Sequence, residues 1–332
     1  MAIILAIESS CDETACSVIE NGNKILSSIV ATQIDTHEKW GGVVPEIASR
    51  LHVEQITIVV EKAIKESNKS MDEIDAIAFT IGPGLIGSLH IGNLAAKTLA
   101  WLYNKPLIPI NHISGHIYAN NFLTDIKFPA LALVISGGHT ELVYMKEDYS
   151  FETIGETNDD AVGEAYDKVA RVLGLGYPGG PKIDKLAKDG KANYFLKEPK
   201  VEGEYDFSFS GLKSSVLQLV ARIKRNNQVV IDADVAYAFQ ETALNSLVKK
   251  CEKAIINLKP KHVLLAGGVA ANSRLRVLMA EMMSKYPEVE LTIPPIKYCT
   301  DNAAMIGASA EIAYSKEIFC ELDAKSDSSL DL

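Results

Sequence analysis

Two widely separated stretches of the chain repeat the same order of short strands and tight turns. In the first, an apolar run over Ile3–Ile7 precedes a polar turn and a second run over Thr14–Ile19. In the second, Ala130–Ile135 precedes the turn Ser136-Gly137-Gly138-His139 and a run over Thr140–Met145. Strand and helix signals alternate along the chain, which is typical of an α/β protein. The repetition predicts a duplicated fold of two lobes, and ligands favour the cleft between such lobes.

The composition supports a folded protein of about two domains. The chain has 332 residues, of which 47% are hydrophobic and 23% charged, so it can build a sizeable core. Its net charge of −10 repels nucleic acid overall, so any RNA contact needs a local basic patch or a partner. The five cysteines include no C-x-x-C pair and indicate neither a disulfide framework nor a zinc ribbon. Because no signal peptide or membrane-spanning run is evident, we expect a cytoplasmic protein.

The segment Gly82-Pro83-Gly84-Leu85-Ile86-Gly87 formally matches the G-x-G-x-x-G fingerprint of dinucleotide-binding proteins. That fingerprint also requires an acidic residue about 20 positions later, which binds the ribose. Residues 88–124 contain no Asp or Glu, so we reject the dinucleotide site. A glycine-rich turn that lets a helix pack closely, or that lines the cleft, is the remaining interpretation.

His112 and His116 stand four residues apart, behind Asn111, which we expect to cap a helix. On a helix this spacing places both imidazoles on one face, where they can share a metal ion. Asp301, which we expect to begin a late helix rich in small residues, is a candidate third ligand. Two histidines and one carboxylate with open positions suit Fe(II) or Zn(II) as a Lewis acid. Two surface histidines near a helix start are the alternative.

Three turns are candidates for substrate binding. The paired glycines Gly137 and Gly138 can form a nest of backbone amides for phosphate oxygens. Asp12, in the equivalent turn of the first repeat, can face the same phosphate through a metal or water. Asn272 follows a buried strand and a Gly-Gly pair, where it can read the edge of a base. Ordinary hairpin turns and a tight strand-to-helix connection are the alternatives.

The stretch 167–200 is the best candidate for an RNA contact on this acidic chain. It holds eight Lys or Arg residues against four Asp or Glu residues, although such runs are usually solvated helix faces. Its basic residues are Lys168, Arg171, Lys182, Lys185, Lys188, Lys191, Lys197 and Lys200. Arg222, Lys224 and Arg225 form a second, smaller cluster.

Nine segments together resemble motifs of the TsaD family, the tRNA N6-adenosine threonylcarbamoyltransferases formerly described as glycoproteases or O-sialoglycoprotein endopeptidases. They span nearly the whole chain in the family's order, and YPGGP and the length resemble its bacterial and organellar branch. The segments are ESSCDETACSV (8–18), GGVVPEIASRLH (41–52), GPGLIGSLHIG (82–92), NHISGHIYAN (111–120), ISGGHTEL (135–142), GEAYDKVARVLGLGYPGGP (163–181), DFSFSGLK (206–213), AGGVAANSRLR (266–276) and CTDNAAMIG (299–307).

The resemblance implies a two-lobed actin-like fold, shared with sugar kinases and heat-shock ATPases, in which duplicated mixed-sheet lobes flank a cleft. It implies transfer of a threonylcarbamoyl group from threonylcarbamoyl-AMP to N6 of the adenosine beside the anticodon, in tRNAs that read codons beginning with A. His112, His116 and Asp301 then match the family's ligands for one divalent metal, Fe(II) or alternatively Zn(II).

The resemblance also implies roles for substrate-binding residues. Asp12 matches an acidic residue thought to be important for turnover. The phosphate-proximal substrate loop matches Ile135, Ser136, Gly137, Gly138 and His139. The nucleoside-binding positions match Asp167, Gly180, Asp184 and Asn272. The implied partners, besides tRNA and threonylcarbamoyl-AMP, are a TsaB-like protein and a TsaE-like P-loop ATPase.

We expect an N-lobe of residues 1–115 and about 300–320, a C-lobe of residues 116–299, and a flexible acidic tail over residues 321–332. Rival functions are a metallopeptidase, a non-catalytic nucleotide-gated actin-like scaffold and a kinase. The peptidase lacks the glutamate of H-E-x-x-H, because Ile113, Ser114 and Gly115 separate the histidines. A scaffold does not need a metal site with open coordination positions. The kinase hypothesis is supported by the fold alone, and fold does not determine function.

Overall fold

The computed structural model describes residues 2–332, which divide into two compact units. The first unit runs to Ile126 and resumes at Pro294–Leu332, and the second unit is Lys127–Ile293. Both boundaries differ from the predicted ones, since residues 116–126 and 294–299 lie in the first unit. The physical reason is packing, because the helix His112–Tyr118 and the turn behind it contact the helix Ala303–Ser315 of the same unit.

The first unit is built on a five-stranded mixed sheet of order β3-β2-β1-β4-β5. Its strands are β1 (Ile3–Glu8), β2 (Glu13–Glu20), β3 (Lys24–Thr32), β4 (Ala76–Gly82) and β5 (Leu107–Asn111). The first three strands pair antiparallel, as two successive hairpins, and β4 and β5 add parallel to β1. The sheet therefore begins with the hairpins that the sequence pattern predicts.

The second unit repeats this topology in the order β10-β9-β6-β7-β8. Its strands are β6 (Ala130–Ile135), β7 (Thr140–Met145), β8 (Glu152–Glu156), β9 (His262–Ala266) and β10 (Glu290–Thr292). Here too three strands pair antiparallel and two add in parallel, so the predicted duplication is confirmed. The six residues of β6 are all buried, which explains its uninterrupted apolar sequence.

Helices cover the two sheets. They are α1 (Ile34–Glu38), α2 (Pro45–Ser67), α3 (Ile86–Tyr103), α4 (His112–Tyr118), α5 (Val162–Val172), α6 (Gly179–Ala187), α7 (Ser210–Arg225), α8 (Asp232–Leu258), α9 (Ser273–Met283) and α10 (Ala303–Ser315). Single 3₁₀ turns cover residues 71–73, 119–122, 268–271 and 296–298. Within residues 2–332, no helix has both the length and the apolar character that crossing a membrane requires.

The last twelve residues, predicted to form a flexible tail, lie against the first unit. Asp327 N donates to Ile81 O at 2.9 Å, at the end of β4. Asn93 Nδ2 of α3 donates to Ser326 Oγ at 2.9 Å, and Asn111 Nδ2 donates to Asp331 O at 3.1 Å. The segment follows the sheet because it satisfies polar groups at the carboxyl ends of β4 and β5.

Candidate metal centre and substrate loops

Helix α4 begins where β5 ends, and Asn111 makes the transition. Its Oδ1 accepts hydrogen bonds from Ile113 N at 2.8 Å and Ser114 N at 3.4 Å, which is the predicted N-cap. His112 and His116 then lie one turn apart, with ring centroids 4.7 Å apart and ring planes at 86°. The four-residue spacing thus places both imidazoles on one face of a short, buried helix.

Asp301 reaches the histidines because α10 packs across α4. Ser114 Oγ and Ser309 Oγ lie 2.9 Å apart at this crossing. A Cβ on Gly115 would lie 2.8 Å from Ile306 Cδ1, so only glycine permits the approach without displacing a neighbour. Asn302 caps α10 by accepting from Met305 N at 3.0 Å. Asp301 consequently lies just ahead of α10, whereas the sequence pattern placed it at the helix start.

The three side chains form a compact set. His116 Nε2 lies 3.1 Å from Asp301 Oδ1, His112 Nε2 lies 3.6 Å from the same oxygen, and one ligand atom from each falls within 4.8 Å of the others. His116 is 1% exposed, yet neither of its ring nitrogens makes a hydrogen bond. Buried ring nitrogens that lack a hydrogen bond and lie beside a carboxylate can donate an electron pair to a cation. The set therefore fits a metal ion.

Glu8 orients His112. It is fully buried at the end of β1, and His112 Nδ1 donates to Glu8 Oε2 at 3.1 Å. Ser10 N and Thr80 Oγ1 also donate to this carboxylate. Burial opposes charge on both groups, but their mutual attraction prevails, so the pKa of Glu8 is lowered and that of His112 is raised to about 9. With Nδ1 engaged, Nε2 is the atom that faces Asp301.

Replacing Glu8 by Gln is expected to weaken metal affinity by about 10–100-fold, because a neutral amide no longer fixes the charge and tautomer of His112. Competition with a chromophoric chelator measures the affinity directly. Glu20→Gln is the control, since Glu20 lies at the other end of the same hairpin and pairs with Lys24. An unchanged affinity in Glu8→Gln would show that His112 is oriented by other contacts.

The turn between β1 and β2 carries Asp12, which is 6% exposed. Its backbone carbonyl accepts from Gln33 N at 3.1 Å. His52 makes hydrogen bonds to both sides of this turn. Its Nε2 lies 3.0 Å from Cys11 O, and its Nδ1 lies 2.7 Å from Thr14 Oγ1. Burial lowers the pKa of His52, which suits a neutral ring that donates once and accepts once. The sequence interpretation gave His52 no role, although it ends the motif GGVVPEIASRLH.

Negative charge is concentrated around these residues. Burial, followed by the charges of Asp12 and Asp301, raises the pKa of the Cys11 thiol well above its usual value. Burial and the same two carboxylates raise the pKa of Glu13 well above its usual range. The charges of Asp12 and Asp301 thus act on the same two neighbours within the first unit. A bound cation would relieve this repulsion.

The loop 135–139 of the second unit folds around the Ser136 hydroxyl, which accepts from Gly138 N at 3.3 Å and His139 N at 3.0 Å. The bond from Gly138 N already engages one of the two amides expected to form the phosphate nest. A Cβ built on Gly137 or Gly138 meets no atom of residues 2–332 within 4 Å, so packing does not require glycine at either position. The open face lets a ligand approach the backbone closely.

Asp167 and Asp184 hold neighbouring segments of the second unit. Asp167 Oδ1 accepts from Gly179 N at 2.6 Å and so fixes the start of α6, next to Gly180. The two oxygens of Asp184 accept from Ser273 N and Ser273 Oγ, each at 3.1 Å. The structure therefore shows both carboxylates positioning the loops that carry other predicted nucleoside residues.

Asn272 caps α9 and is 9% exposed. Its Oδ1 accepts from Arg274 N at 3.0 Å and Leu275 N at 2.9 Å, while its Nδ2 donates to Gln240 Oε1 at 3.0 Å. Tyr166 OH also donates to Gln240 Oε1, at 3.3 Å. Asn272 is therefore held by a buried network, and Gln240 is a supporting residue that local sequence patterns did not reveal.

Comparison with known proteins identifies the family. A model of "TsaD: tRNA N6-adenosine threonylcarbamoyltransferase" matches residues 24–308. The chain belongs to the TsaD family. The tRNA N6-adenosine threonylcarbamoyltransferase of Bacillus licheniformis is 54% identical over 330 residues, covering 99% of this chain and 97% of that protein. The TsaD family member of the same name from Listeria monocytogenes serotype 4b is 57% identical over 314 residues, covering 94% and 91%.

Solved structures with low sequence identity share the fold of this TsaD family chain. T. kodakarensis HypF superposes with a TM-score of 0.69 at 14% identity, over 97% of this chain and 49% of HypF. The activator of the 2-hydroxyisocaproyl-CoA dehydratase from Clostridium difficile superposes with a TM-score of 0.52 at 15% identity, over 96% and 98%. These similarities confirm the expected actin-like α/β fold.

Proposed function

We propose that the chain transfers a threonylcarbamoyl group from threonylcarbamoyl-AMP to N6 of the adenosine beside the anticodon, in tRNAs that read codons beginning with A. The observation that carries this proposal is the convergence of His112, His116 and Asp301 where α4 and α10 cross, in a chain of the TsaD family. A tRNA substrate also favours the cytoplasm as the site of action.

The chemistry determines what the residues must supply. N6 attacks the carbamoyl carbon, the bond from that carbon to the phosphate oxygen breaks, AMP leaves with the electron pair, and N6 loses one proton. AMP is a good leaving group, whereas an exocyclic adenine amine is a poor nucleophile because its lone pair is delocalised into the ring. The reaction therefore depends on activating the carbonyl and on removing a proton.

His112, His116 and Asp301 would hold a divalent metal, for which we propose Fe(II), with Zn(II) as the alternative. When bound, this ion supplies Lewis-acid polarisation of the carbamoyl carbonyl. The chain's own contribution is to orient the ligand atoms, which Glu8 does for His112 through Nδ1. Asp12 is proposed to accept the proton from N6, or to align a water that does, from a turn that His52 holds in place.

The second unit is proposed to bind the adenylate. The Ser136 hydroxyl fixes the loop 135–139, and the open face at Gly137 and Gly138 lets the donor's phosphate lie against the backbone. The buried amide of Asn272, with Asp167, Gly180 and Asp184 around it, is proposed to bind the nucleoside. The target adenosine must leave its stack to react, as in other enzymes that modify bases.

Reversing the charge of Lys182, Lys185 and Lys188 together is expected to weaken tRNA binding and to reduce its salt dependence. Each lost phosphate contact should lower the slope of log K against log salt by roughly 0.7–0.9. A salt titration with fluorescent tRNA measures this slope, and adenylate binding should stay unchanged. Lys146→Glu is the control, because Lys146 already pairs with Glu152. An unchanged slope in the triple variant would place the RNA surface elsewhere, on another part of this chain or on a partner.

We propose a TsaB-like protein and a TsaE-like P-loop ATPase as partners. An exposed apolar surface supports the need for a partner: Leu94 and Trp101 lie seven residues apart on α3 and are 65% and 72% exposed. The neighbouring α2 exposes Val53. Several large apolar side chains exposed on two packed helices are typical of a protein interface.

A metallopeptidase is disfavoured by the position of the nearest buried glutamate. Glu8 is bonded to His112 Nδ1, Ser10 N and Thr80 Oγ1, so it is not free to activate a water. Incubating the chain and its partners with threonylcarbamoyl-AMP and unmodified tRNA, followed by mass spectrometry of the nucleosides, tests the transferase. Formation of N6-threonylcarbamoyladenosine supports it, whereas peptide cleavage without this product would favour the peptidase.

A further inference from the structure

Phe195 has the largest exposed fraction, 85%, among the large hydrophobic side chains of residues 2–332. It lies between α6 and α7, in the basic stretch of the second unit. A phenyl ring left in water forgoes the favourable free energy of burial, so a ligand that covers the ring gains that free energy.

The segment that carries Phe195 is anchored on both sides. Asp234, in the first turn of α8, accepts from Lys191 N at 2.8 Å and from Asn193 Nδ2 at 2.7 Å. On the other side, Leu196 is 4% exposed and so fixes the chain immediately after the ring. Phe195 therefore lies on a loop that is anchored on both sides, which limits the conformational entropy lost when a ligand binds.

Positive charge surrounds this ring along the chain. Lys188, Lys191, Lys197 and Lys200 are exposed, and these four ammonium groups form no ion pair within residues 2–332. Of the nearby acids, Asp234 binds the loop itself and Glu198 pairs with Lys249, whereas Asp189 and Glu202 are exposed. On a chain of net charge −10, four exposed lysines therefore flank an exposed aromatic residue along the sequence.

We propose that this surface, defined by Phe195 and the four lysines, binds single-stranded RNA, with an unpaired base stacked on Phe195 and phosphates on the lysines. This rests on the proposed function, which supplies tRNA, whose anticodon loop presents unpaired bases. A single aromatic ring among cations is typical of single-strand nucleic-acid binding. Protein interfaces, by contrast, are depleted of lysine at their centres.

The test compares Phe195→Ala and Phe195→Trp in the full chain with its partner proteins. Fluorescence anisotropy measures binding to an anticodon stem-loop and to a fully paired RNA duplex of equal charge. Phe195→Ala should weaken stem-loop binding by about tenfold, with duplex binding and the salt slope unchanged, since no charge is removed. Phe195→Trp should restore affinity, and its fluorescence should be quenched by the stem-loop. Ile256→Ala, 55% exposed on α8, is the matched control.

Several results would overturn the assignment. Unchanged stem-loop affinity in Phe195→Ala, or an equal loss of stem-loop and duplex binding, excludes stacking on this ring. Loss of a co-purifying protein with RNA binding intact would assign Phe195 to a protein interface instead. If the parental chain neither binds tRNA nor forms N6-threonylcarbamoyladenosine, the proposed function fails first. If the parental chain forms the product and Phe195→Ala does not change RNA binding, the stacking proposal is rejected while the proposed function stands.

Discussion

Replacing Asp301 by Ala is expected to remove the bound metal and to lower threonylcarbamoyl transfer by more than about 100-fold. Loss of a direct ligand should exceed the 10–100-fold typical of residues that only orient ligands. The same result is expected for His112→Ala and His116→Ala. Metal content by mass spectrometry and the initial rate of transfer are the two measurements.

The apoprotein provides the control for folding. The charge of Asp301 repels Glu13 but attracts His112, so its removal has opposing effects on the metal-free chain. We therefore expect the metal-free Asp301→Ala chain to unfold at a temperature close to that of the metal-free parent. Added metal should raise the unfolding temperature of the parent alone, since a ligand stabilises only a chain that binds it. Parental transfer rates in a metal-free variant would contradict the Lewis-acid role.

Replacing Asp12 by Asn is expected to lower transfer by roughly 10²–10⁴-fold, the range typical of a lost acid–base group. The amide keeps the size and hydrogen-bonding capacity of the side chain but loses its charge and basicity. Adenylate binding should change little, because the nucleoside is assigned to the second unit. The loss should therefore appear in kcat rather than in the KM for the adenylate.

Asp35→Asn is the matched control for this change, since Asp35 is an exposed acid in the first turn of α1 of the same unit. It should retain parental transfer. Full activity in Asp12→Asn would remove this residue from the catalytic set and leave the metal ligands and the loop 135–139 to carry the reaction.

Local patterns predicted those parts of the molecule that depend on neighbouring residues. The hairpin strands followed from alternation of apolar runs and turns, and the duplication followed because the same pattern occurs twice. The placement of His112 and His116 on one helix face followed from their four-residue spacing. The N-cap role of Asn111 followed from its position immediately before the helix. Each of these features is fixed by contacts between residues a few positions apart.

Features that depend on distant contacts were harder to predict. Glu8 lies 104 positions before His112, and only the pairing of β1 with β4 and of β4 with β5 brings them together. The same applies to the C-terminal segment, whose acidic sequence resembles a free tail. Its place against β4 rests on tertiary hydrogen bonds such as Asp327 N to Ile81 O. Spacing alone left open whether Asp301 is the third metal ligand, and the family resemblance is what favoured this assignment.

The basic stretch shows how structure changes a prediction based on composition. Lys168 lies within the predicted RNA-binding run, yet its ammonium group pairs with Asp160 at 2.6 Å and Glu164 at 2.9 Å. A prediction from composition treats such a residue as a free cation. In the structure, acidic residues on α5 and in the preceding loop neutralise its charge. Lys188, Lys191, Lys197 and Lys200 lack such partners within residues 2–332, which is why we propose that they contribute to the RNA contact.

The central claim is that the His112, His116 and Asp301 site supports formation of N6-threonylcarbamoyladenosine. The most direct measurement uses metal-free chain, its partners, threonylcarbamoyl-AMP and unmodified tRNA, with and without added Fe(II), and quantifies the modified nucleoside by mass spectrometry. We predict that the product forms with the parental chain only when metal is added, and that Asp301→Ala forms none in either case. Equal product from the metal-free parent, or from Asp301→Ala, would contradict the account.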